Sequence, residues 1–287
     1  IVFGSIIFIC FALYILNISI QNSNQNLFKE KVKKIIFNLN FLENKLNYTE
    51  RVVFYKIKLN KNEIYRYCTK DSKEYNLNLN NLRIECLKEG ESRDRLFYIQ
   101  GNSHTANYIP LFDNIKLNNG DSVYYEHSDV ILNEDTKQKI YKLKKSYNKI
   151  VYVTNIENYN LDILDKKFVN LDPTLEVLIL STVPNLNKKI EPLKCFIKKI
   201  DCRYSRVEDF KNRNLLNYFS KIQNFSRNSK FRVLFYNSYD QLCSEDYCYA
   251  YDSELDILSH RDTTHLTAEG SMSLTKNFQS FFNDNFE

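Results

Sequence analysis

The first twenty residues form an uninterrupted apolar stretch. They read IVFGSIIFICFALYILNISI, and the first charged residue of the chain is Lys29. A helix of about 20 apolar residues, rising about 1.5 Å per residue, crosses the roughly 30 Å hydrocarbon core of a bilayer. The pattern therefore predicts a transmembrane helix over residues 1–20. A buried core helix is the alternative, and it requires a domain large enough to cover every face of the segment.

The same stretch differs from a secretory signal peptide. No basic region precedes it, and no small-residue cleavage site follows it. The sequence also begins with Ile1 rather than Met. We therefore expect it to continue a longer protein.

Beyond residue 20 the apolar positions first recur with a helical period. Apolar side chains spaced three or four residues apart predict an amphipathic helix over 27–46. Residues 50–59 alternate as a strand does, and the Asn- and Lys-rich run 70–81 is typical of a loop. We expect residues 21–60 to be a juxtamembrane linker and residues 61–287 to be one folded domain.

Within this domain, short apolar runs alternate with longer amphipathic stretches. The apolar runs predict strands at 96–99, 123–125, 150–154, 175–180 and 231–236. The amphipathic stretches predict helices at 103–117, 134–146, 207–225 and 267–282. Strands that alternate with helices indicate an α/β fold with a mostly parallel sheet covered by helices on both sides.

Composition is that of an ordinary globular protein. With 43% hydrophobic and 26% charged residues, wholesale disorder, collagen-like repeats and a disulfide-dense miniprotein are excluded. The 40 Lys and Arg are interspersed with 35 Asp and Glu, for a net charge of +5. Since no basic stripe results, nucleic acid is not an expected partner. Asn accounts for 36 of the 287 residues, so an Asn at any one position carries little information.

Six of the seven cysteines fall into pairs that are close in the sequence. The pairs are Cys68 with Cys86, Cys195 with Cys202, and Cys243 with Cys248. Six cysteines allow fifteen pairings, but three bridges between near neighbours are typical of a domain outside the cytoplasm. Free thiols are the alternative. The lysines that follow residue 20 favour the cytoplasm by the positive-inside rule, but that rule compares both flanks of a span. The spacings match no zinc motif, and no metal or cofactor is expected.

One candidate for chemistry follows the first strand of the domain. The segment Gly101-Asn102-Ser103-His104 comes directly after an apolar run and opens a predicted helix. At the carboxyl end of a strand in an open parallel sheet, side chains face the crevice where ligands bind. A Ser at the start of a helix can attack a carbonyl, and its own N–H can stabilise the developing oxyanion. The alternative is that Ser103 only caps the helix.

A second candidate precedes the last helix. Asp262 and His265 lie three positions apart on a predicted loop. This spacing lets the carboxylate hold one imidazole nitrogen, while the other nitrogen takes a proton from a Ser hydroxyl. The alternative makes both of them ordinary loop residues, with Thr267 capping the helix and Gly270 merely accommodated.

The two segments together resemble the SGNH hydrolase superfamily, which has a flavodoxin-like fold. They are most similar to the SGNH domain fused behind membrane acyltransferases that O-acetylate bacterial surface polysaccharides. His104 directly after the Ser, a Cys pair ahead of each segment and a preceding apolar span all point to that subgroup. The resemblance covers about residues 60–287 and makes residues 1–20 the last helix of the acyltransferase part.

The resemblance implies a role for each of these residues. Ser103 would be the nucleophile, His265 the general base and Asp262 the residue that orients it, with Gly101, Asn102 and His104 as neighbours of the site. Family members usually have Asp where this chain has Asn102. Asn155, at the end of a predicted strand, is the candidate for the superfamily's oxyanion-binding Asn. His127 and His260 receive no role and are expected on the surface or in loops.

The expected function is transfer of an acyl group, most simply acetyl, to hydroxyls of a cell-surface polysaccharide. The fused membrane part would supply the acyl group, and the domain would lie outside the cytoplasm, anchored to the membrane. A glycan O-acetyl esterase with the same three residues is one alternative. A non-catalytic glycan-binding domain of the same fold is another.

Overall fold

The computed structural model describes residues 86–157, 161–168, 171–186 and 189–286. The predicted transmembrane helix, the linker over 21–60 and the predicted loop over 70–81 lie outside these ranges. Within the described residues, no helix is both long and apolar enough to cross a bilayer.

The described strands form two sheets. The main sheet consists of β1 (Leu87–Lys88), β2 (Arg95–Gly101), β3 (Asp121–His127), β4 (Lys149–Asn155), β5 (Glu176–Leu180) and β7 (Val233–Tyr236). The smaller sheet consists of β6 (Cys202–Ser205), β8 (Tyr247–Asp252) and β9 (Ile257–Leu258).

The described helices lie between and after these strands. They are α1 (Ser103–Ala106), α2 (Ile109–Asn114), α3 (Glu134–Leu143), α4 (Ile163–Phe168), α5 (Pro192–Lys198), α6 (Arg206–Asn212), α7 (Leu215–Asn228), α8 (Tyr239–Leu242), α9 (Ala268–Ser273) and α10 (Thr275–Phe286).

The main sheet has the strand order β1-β3-β2-β4-β5-β7. All neighbours pair in parallel except β1 with β3. Without β1 this is the flavodoxin-like order, in which the chain moves first to one side of its initial strand and then to the other. The predicted α/β class and mostly parallel sheet are confirmed. The change of direction lies at β2, so the crevice it creates is at the carboxyl ends of β2 and β4.

Alternate side chains of β2 are buried on opposite faces of the sheet. Phe97 packs against Phe112 of α2 and against Phe282 and Phe286 of α10. Tyr98 packs on the other face, where neighbouring strands contribute further tyrosines. Since helices cover both faces, β2 is buried along its whole length. This explains why the strand reads as a continuous apolar run.

Three predicted helices are each interrupted. The predicted helix 103–117 divides into α1 and α2, because Pro110 lacks an N–H and suits only the first turn of a new helix. The predicted helix 207–225 divides at Asn214, whose φ of 50° is left-handed. The predicted helix 267–282 divides into α9 and α10 at Leu274.

The smaller sheet is braced by disulfides. Cys195 of α5 is bonded to Cys202 of β6, and Cys243 is bonded to Cys248 of β8. These are two of the three expected pairs. Cys86 also forms a disulfide, and its expected partner Cys68 lies outside the described residues. Through β8 and β9 the disulfides support the loop that carries Asp262 and His265.

Candidate active site

Ser103 stands at the turn between β2 and α1. The side chain of Asn102 caps α1, because its Oδ1 accepts the His104 N–H at 3.0 Å. Ser103 is therefore the first residue of the helix rather than its cap, and its own N–H has no intrahelical acceptor. The turn requires glycine at position 101, where φ is 158° and a Cβ would lie 1.9 Å from Thr105 Oγ1.

Asp262 and His265 are held together by a tight turn after β9. Asp262 Oδ1 accepts the backbone N–H of Thr264 at 2.8 Å and that of His265 at 2.9 Å. The next residue, Leu266, donates its N–H to Asn107 Oδ1 at 3.2 Å. Asn107 immediately follows α1, so this bond ties the histidine loop to the helix that begins with Ser103.

The next helix, α9, holds the other end of this loop. Thr267 caps α9 by accepting the Gly270 N–H at 2.8 Å. A Cβ on Gly270 would lie 2.1 Å from the Ser259 carbonyl oxygen. Gly270 is therefore required for the close approach of α9 to the strand end, rather than merely accommodated.

Ser103, His265 and Asp262 form one hydrogen-bonded series. Ser103 Oγ lies 2.8 Å from His265 Nε2, and His265 Nδ1 lies 2.9 Å from Asp262 Oδ2. Burial alone would raise the pKa of Asp262, but hydrogen bonds from His265 and the Thr264 amide outweigh it and hold that pKa well below its usual value. The carboxylate is thus ionised at every pH at which His265 could act as a base.

Comparison with known proteins identifies the family. The sequence profile described as "SGNH domain (fused to AT3 domains)" matches residues 67–280. The chain belongs to this family. Its SGNH domain therefore comprises both sheets and all three residues of the series.

Two solved structures are also similar to this chain. One is a catalytic mutant of Axe2, an acetylxylan esterase from Geobacillus stearothermophilus, with 13% identity and a TM-score of 0.33. The other is a second Axe2 mutant from the same organism, described as an acetyl-xylooligosaccharide esterase, with 14% identity and a TM-score of 0.33. Each match covers 70% of this chain and 98% of the other. The comparison with curated proteins gave no match.

Asn155 lies in the SGNH domain at the end of β4, and its side chain bonds to the main chain beside the neighbouring strand. Its amide donates to the carbonyl oxygens of Leu180 at 3.1 Å and Ser181 at 2.5 Å. With both amide hydrogens engaged, Asn155 joins the ends of β4 and β5. An oxyanion role would require the amide to leave these two carbonyls, and that role stays a prediction. The N–H of Ser103, at the first position of α1, is one donor beside the nucleophile.

His104 lies against the candidate base. The His104 and His265 rings stack with centroids 4.6 Å apart. Burial, together with the nearby charge of His265, lowers the pKa of His104 to about 4. His104 is therefore neutral near pH 7, and it does not repel a proton that arrives on His265.

Glu157 completes the surroundings of the site, and sequence reasoning missed it. It lies two residues beyond β4 and is only 5% exposed. Its Oε1 lies 3.2 Å from Asn102 Nδ2 and 3.3 Å from His104 Nε2. Burial raises the pKa of Glu157, while the Asn102 hydrogen bond opposes this rise. Its place at the carboxyl end of a strand was the signal that could have found it.

The two histidines without an expected role differ in their surroundings. His127 is exposed at the end of β3, as predicted. His260 was expected on the surface or in a loop, and it is fully buried, with Nε2 3.3 Å from the Pro184 carbonyl oxygen. The smaller sheet encloses His260, and the local sequence did not reveal that sheet.

Proposed function

We propose that this SGNH domain transfers an acyl group, most simply acetyl, to a hydroxyl of a cell-surface polysaccharide through an acyl-enzyme on Ser103. The observation that carries the proposal is the 2.8 Å contact of Ser103 Oγ with His265 Nε2, continued to Asp262. A nucleophile, a base and an orienting carboxylate at these distances are the arrangement that nucleophilic acyl transfer needs.

The first half of the reaction forms the acyl-enzyme. Ser103 Oγ bonds to the carbonyl carbon of the donor, and its proton passes to His265 Nε2. The negative charge on the carbonyl oxygen is stabilised by the Ser103 N–H at the start of α1. When the tetrahedral intermediate collapses, the bond to the leaving group breaks, and the leaving group takes the proton from His265.

The second half releases the acyl group to an acceptor. A sugar hydroxyl gives its proton to His265 as its oxygen attacks the acyl carbon, and Ser103 Oγ leaves and regains a proton. Asp262 remains ionised and stabilises the imidazolium that forms in each half. If water replaces the sugar hydroxyl, the same residues perform ester hydrolysis.

Transfer is preferred to hydrolysis because the family is one of SGNH domains fused to AT3 domains. An acyltransferase part in the same protein would supply acyl groups to this domain, with a surface glycan as the acceptor. The disulfides Cys195–Cys202 and Cys243–Cys248 favour a location outside the cytoplasm. We propose membrane anchorage through residues 1–20 on the sequence pattern alone.

A glycan O-acetyl esterase is the second candidate, since the series of Ser103, His265 and Asp262 serves hydrolysis equally well. A purely glycan-binding domain is disfavoured, because such a domain has no need of a base placed on a serine hydroxyl.

The test uses the 287-residue chain with an activated acetyl ester, in the presence and absence of polysaccharide acceptors. We expect release of the leaving group to be lost in Ser103→Ala and retained in Ser273→Ala, a serine of α9. Acetylated polysaccharide among the products indicates transfer, whereas free acetate alone indicates an esterase. Equal rates for wild type and Ser103→Ala would overturn the proposal.

A further inference from the structure

The residues on either side of Ser103 share one buried partner. Glu157 Oε1 is within hydrogen-bond distance of Asn102 Nδ2, at 3.2 Å, and lies 3.3 Å from His104 Nε2. Its other oxygen, Oε2, is buried without a hydrogen-bond partner among the described residues. Since a buried carboxylate lacking a full set of partners is destabilising, its retention beside the nucleophile calls for a reason.

The orientation of the Asn102 amide is fixed by the backbone. Asn102 Oδ1 accepts the His104 N–H at 3.0 Å, so its Nδ2 must point toward Glu157. An Asp at position 102 could make the same cap with one oxygen, but its second oxygen would then face Glu157 Oε1 at about hydrogen-bond distance. Two adjacent carboxylates cannot both be ionised without strong repulsion. Glu157 thus gives a reason for an amide rather than a carboxylate at position 102.

Glu157 reaches the candidate base through His104. A neutral His104 with its hydrogen on Nε2 can donate to Glu157, which fixes the plane of the ring. That ring stacks on His265 at 4.6 Å. A change at Glu157 would therefore displace both the turn that carries Ser103 and the ring that lies against His265.

From these contacts we propose that Glu157 is a positioning residue for Ser103 and His265. It acts together with Asn102, and this pair must contain one carboxylate and one amide. The pair holds the nucleophile turn and the ring of His104 in the orientation that acyl transfer needs. This inference rests on the proposed function, because it assigns Glu157 to the same acyl-transfer site.

Exchange of the two groups tests the pair. Asn102→Asp leaves two carboxylates in contact. We expect it to lower kcat/KM for an activated acetyl ester by about tenfold to a hundredfold, which is the loss typical of a catalytic group displaced by about 1 Å. Glu157→Gln removes the charge and should cost less, by a few-fold. In the Asn102→Asp background, however, Glu157→Gln should raise kcat/KM, because the Gln amide can donate to the new Asp.

The reversal of sign is the deciding result. If the two residues act independently of each other, their losses multiply, and multiplied losses would overturn the proposal. Wild-type activity in Asn102→Asp would also overturn it. If Asn102→Asp fails to fold, the double variant should recover a cooperative thermal unfolding transition, and failure to recover it counts against the pair.

Two controls separate this proposal from the proposed function. The first control is Glu126→Gln, which removes a half-buried carboxylate near the end of β3. This carboxylate contacts Tyr98 and Lys139. Because the change lies away from the active site, we expect kcat/KM to stay within about twofold of the wild-type value. Ser103→Ala in parallel reports on the chemistry itself. If Ser103→Ala is inactive and the exchange shows no sign reversal, only the role of Glu157 fails. If Ser103→Ala is fully active, the proposed function fails.

Discussion

The position of Ser103 is set by its neighbours in the chain. Asn102 caps the helix, Gly101 permits the close turn, and Asn107 ties the helix to the loop of His265. The serine, aspartate and histidine could be predicted, because a GxSH turn and a DxxH loop have recognisable spacings. Glu157 could not, since a single Glu beyond a strand has no distinctive spacing. The surroundings of Asn155 could not be predicted either, because Asn is common in this chain and its amide partners, the carbonyls of Leu180 and Ser181, follow from the pairing with another strand.

At the scale of single residues, the contact of the Asp262 carboxylate with His265 gives a testable prediction. Asp262→Asn removes the charge that orients His265 and stabilises the imidazolium, so we expect kcat to fall by about 10²- to 10⁴-fold. A loss at the lower end is expected, because the Asp262 side chain is 50% exposed. Steady-state kinetics on the acetyl ester provide the measurement, with the exposed His127→Ala as control. Equal effects of the two variants would mean that Asp262 does not orient the base.

The burial of His260 predicts that the stability of the protein depends on pH. Burial lowers its pKa from 6.5 to about 4, so between these pH values the unfolded chain binds a proton that the folded chain does not. The free energy of unfolding should therefore fall as the pH drops from 6.5 toward 4, with a contribution from His260 on the order of 3 kcal/mol. His104, whose pKa is also lowered to about 4, adds to the same slope.

Urea unfolding at pH 7 and pH 4.5 measures this effect. His260→Gln retains a donor for the Pro184 carbonyl and does not titrate, so its stability should change less between the two pH values than that of the wild type. His127→Gln, at an exposed position, should behave as the wild type does. Identical pH dependence in all three proteins would show that His260 is not the titrating group.

At the scale of elements, the apolar runs located the five parallel strands well, because strands buried on both faces have few polar interruptions. The helices were located less accurately, since Pro110 and Asn214 interrupt stretches that remain amphipathic on both sides. The smaller sheet was not predicted. Its strands are short, and β6 pairs with β8, a strand more than forty residues later in the chain.

Gly270 tests how closely α9 must pack against the end of β9. Gly270→Ala would place a Cβ 2.1 Å from the Ser259 carbonyl oxygen, and we expect a loss of about 1–3 kcal/mol in the free energy of unfolding from overpacking. In a helix without this contact, the same substitution would be stabilising. Denaturant unfolding provides the measurement, with Met272→Ala, a more exposed position of α9, as control. A Gly270→Ala variant more stable than the wild type would refute the close contact.

At the scale of the whole molecule, two sheets contribute different parts of one site. The main sheet presents Ser103 at its change of strand direction, and the smaller sheet delivers Asp262 and His265 through β9. The first contribution could be expected from the sequence, because α/β alternation predicts a parallel sheet and places a serine that follows a strand at the carboxyl edge of that sheet. The second depends on long-range pairing and on disulfides, whose bonding the cysteine spacing suggested without deciding it.

The disulfides should therefore matter for activity as well as for stability. They close short loops, with sequence separations of 7 and 5, and each should contribute about 2 kcal/mol by the chain-entropy estimate. We expect reduction to lower the thermal unfolding midpoint and to lower kcat, because the sheet behind the histidine loop loses its bracing. Calorimetry and ester turnover with and without reductant would measure both. Unchanged values after complete reduction would show that the bridges do not support the site.

Detection of the acyl-enzyme tests the central claim most directly. The 287-residue chain would be mixed with an activated acetyl ester, quenched in acid and digested, and the peptide containing Ser103 examined by mass spectrometry. We predict an acetyl group on Ser103 that accumulates within the first turnover and is absent from Ser103→Ala. Turnover of the ester without any acetyl-Ser103, or with the acetyl group on another residue, would contradict nucleophilic catalysis by Ser103.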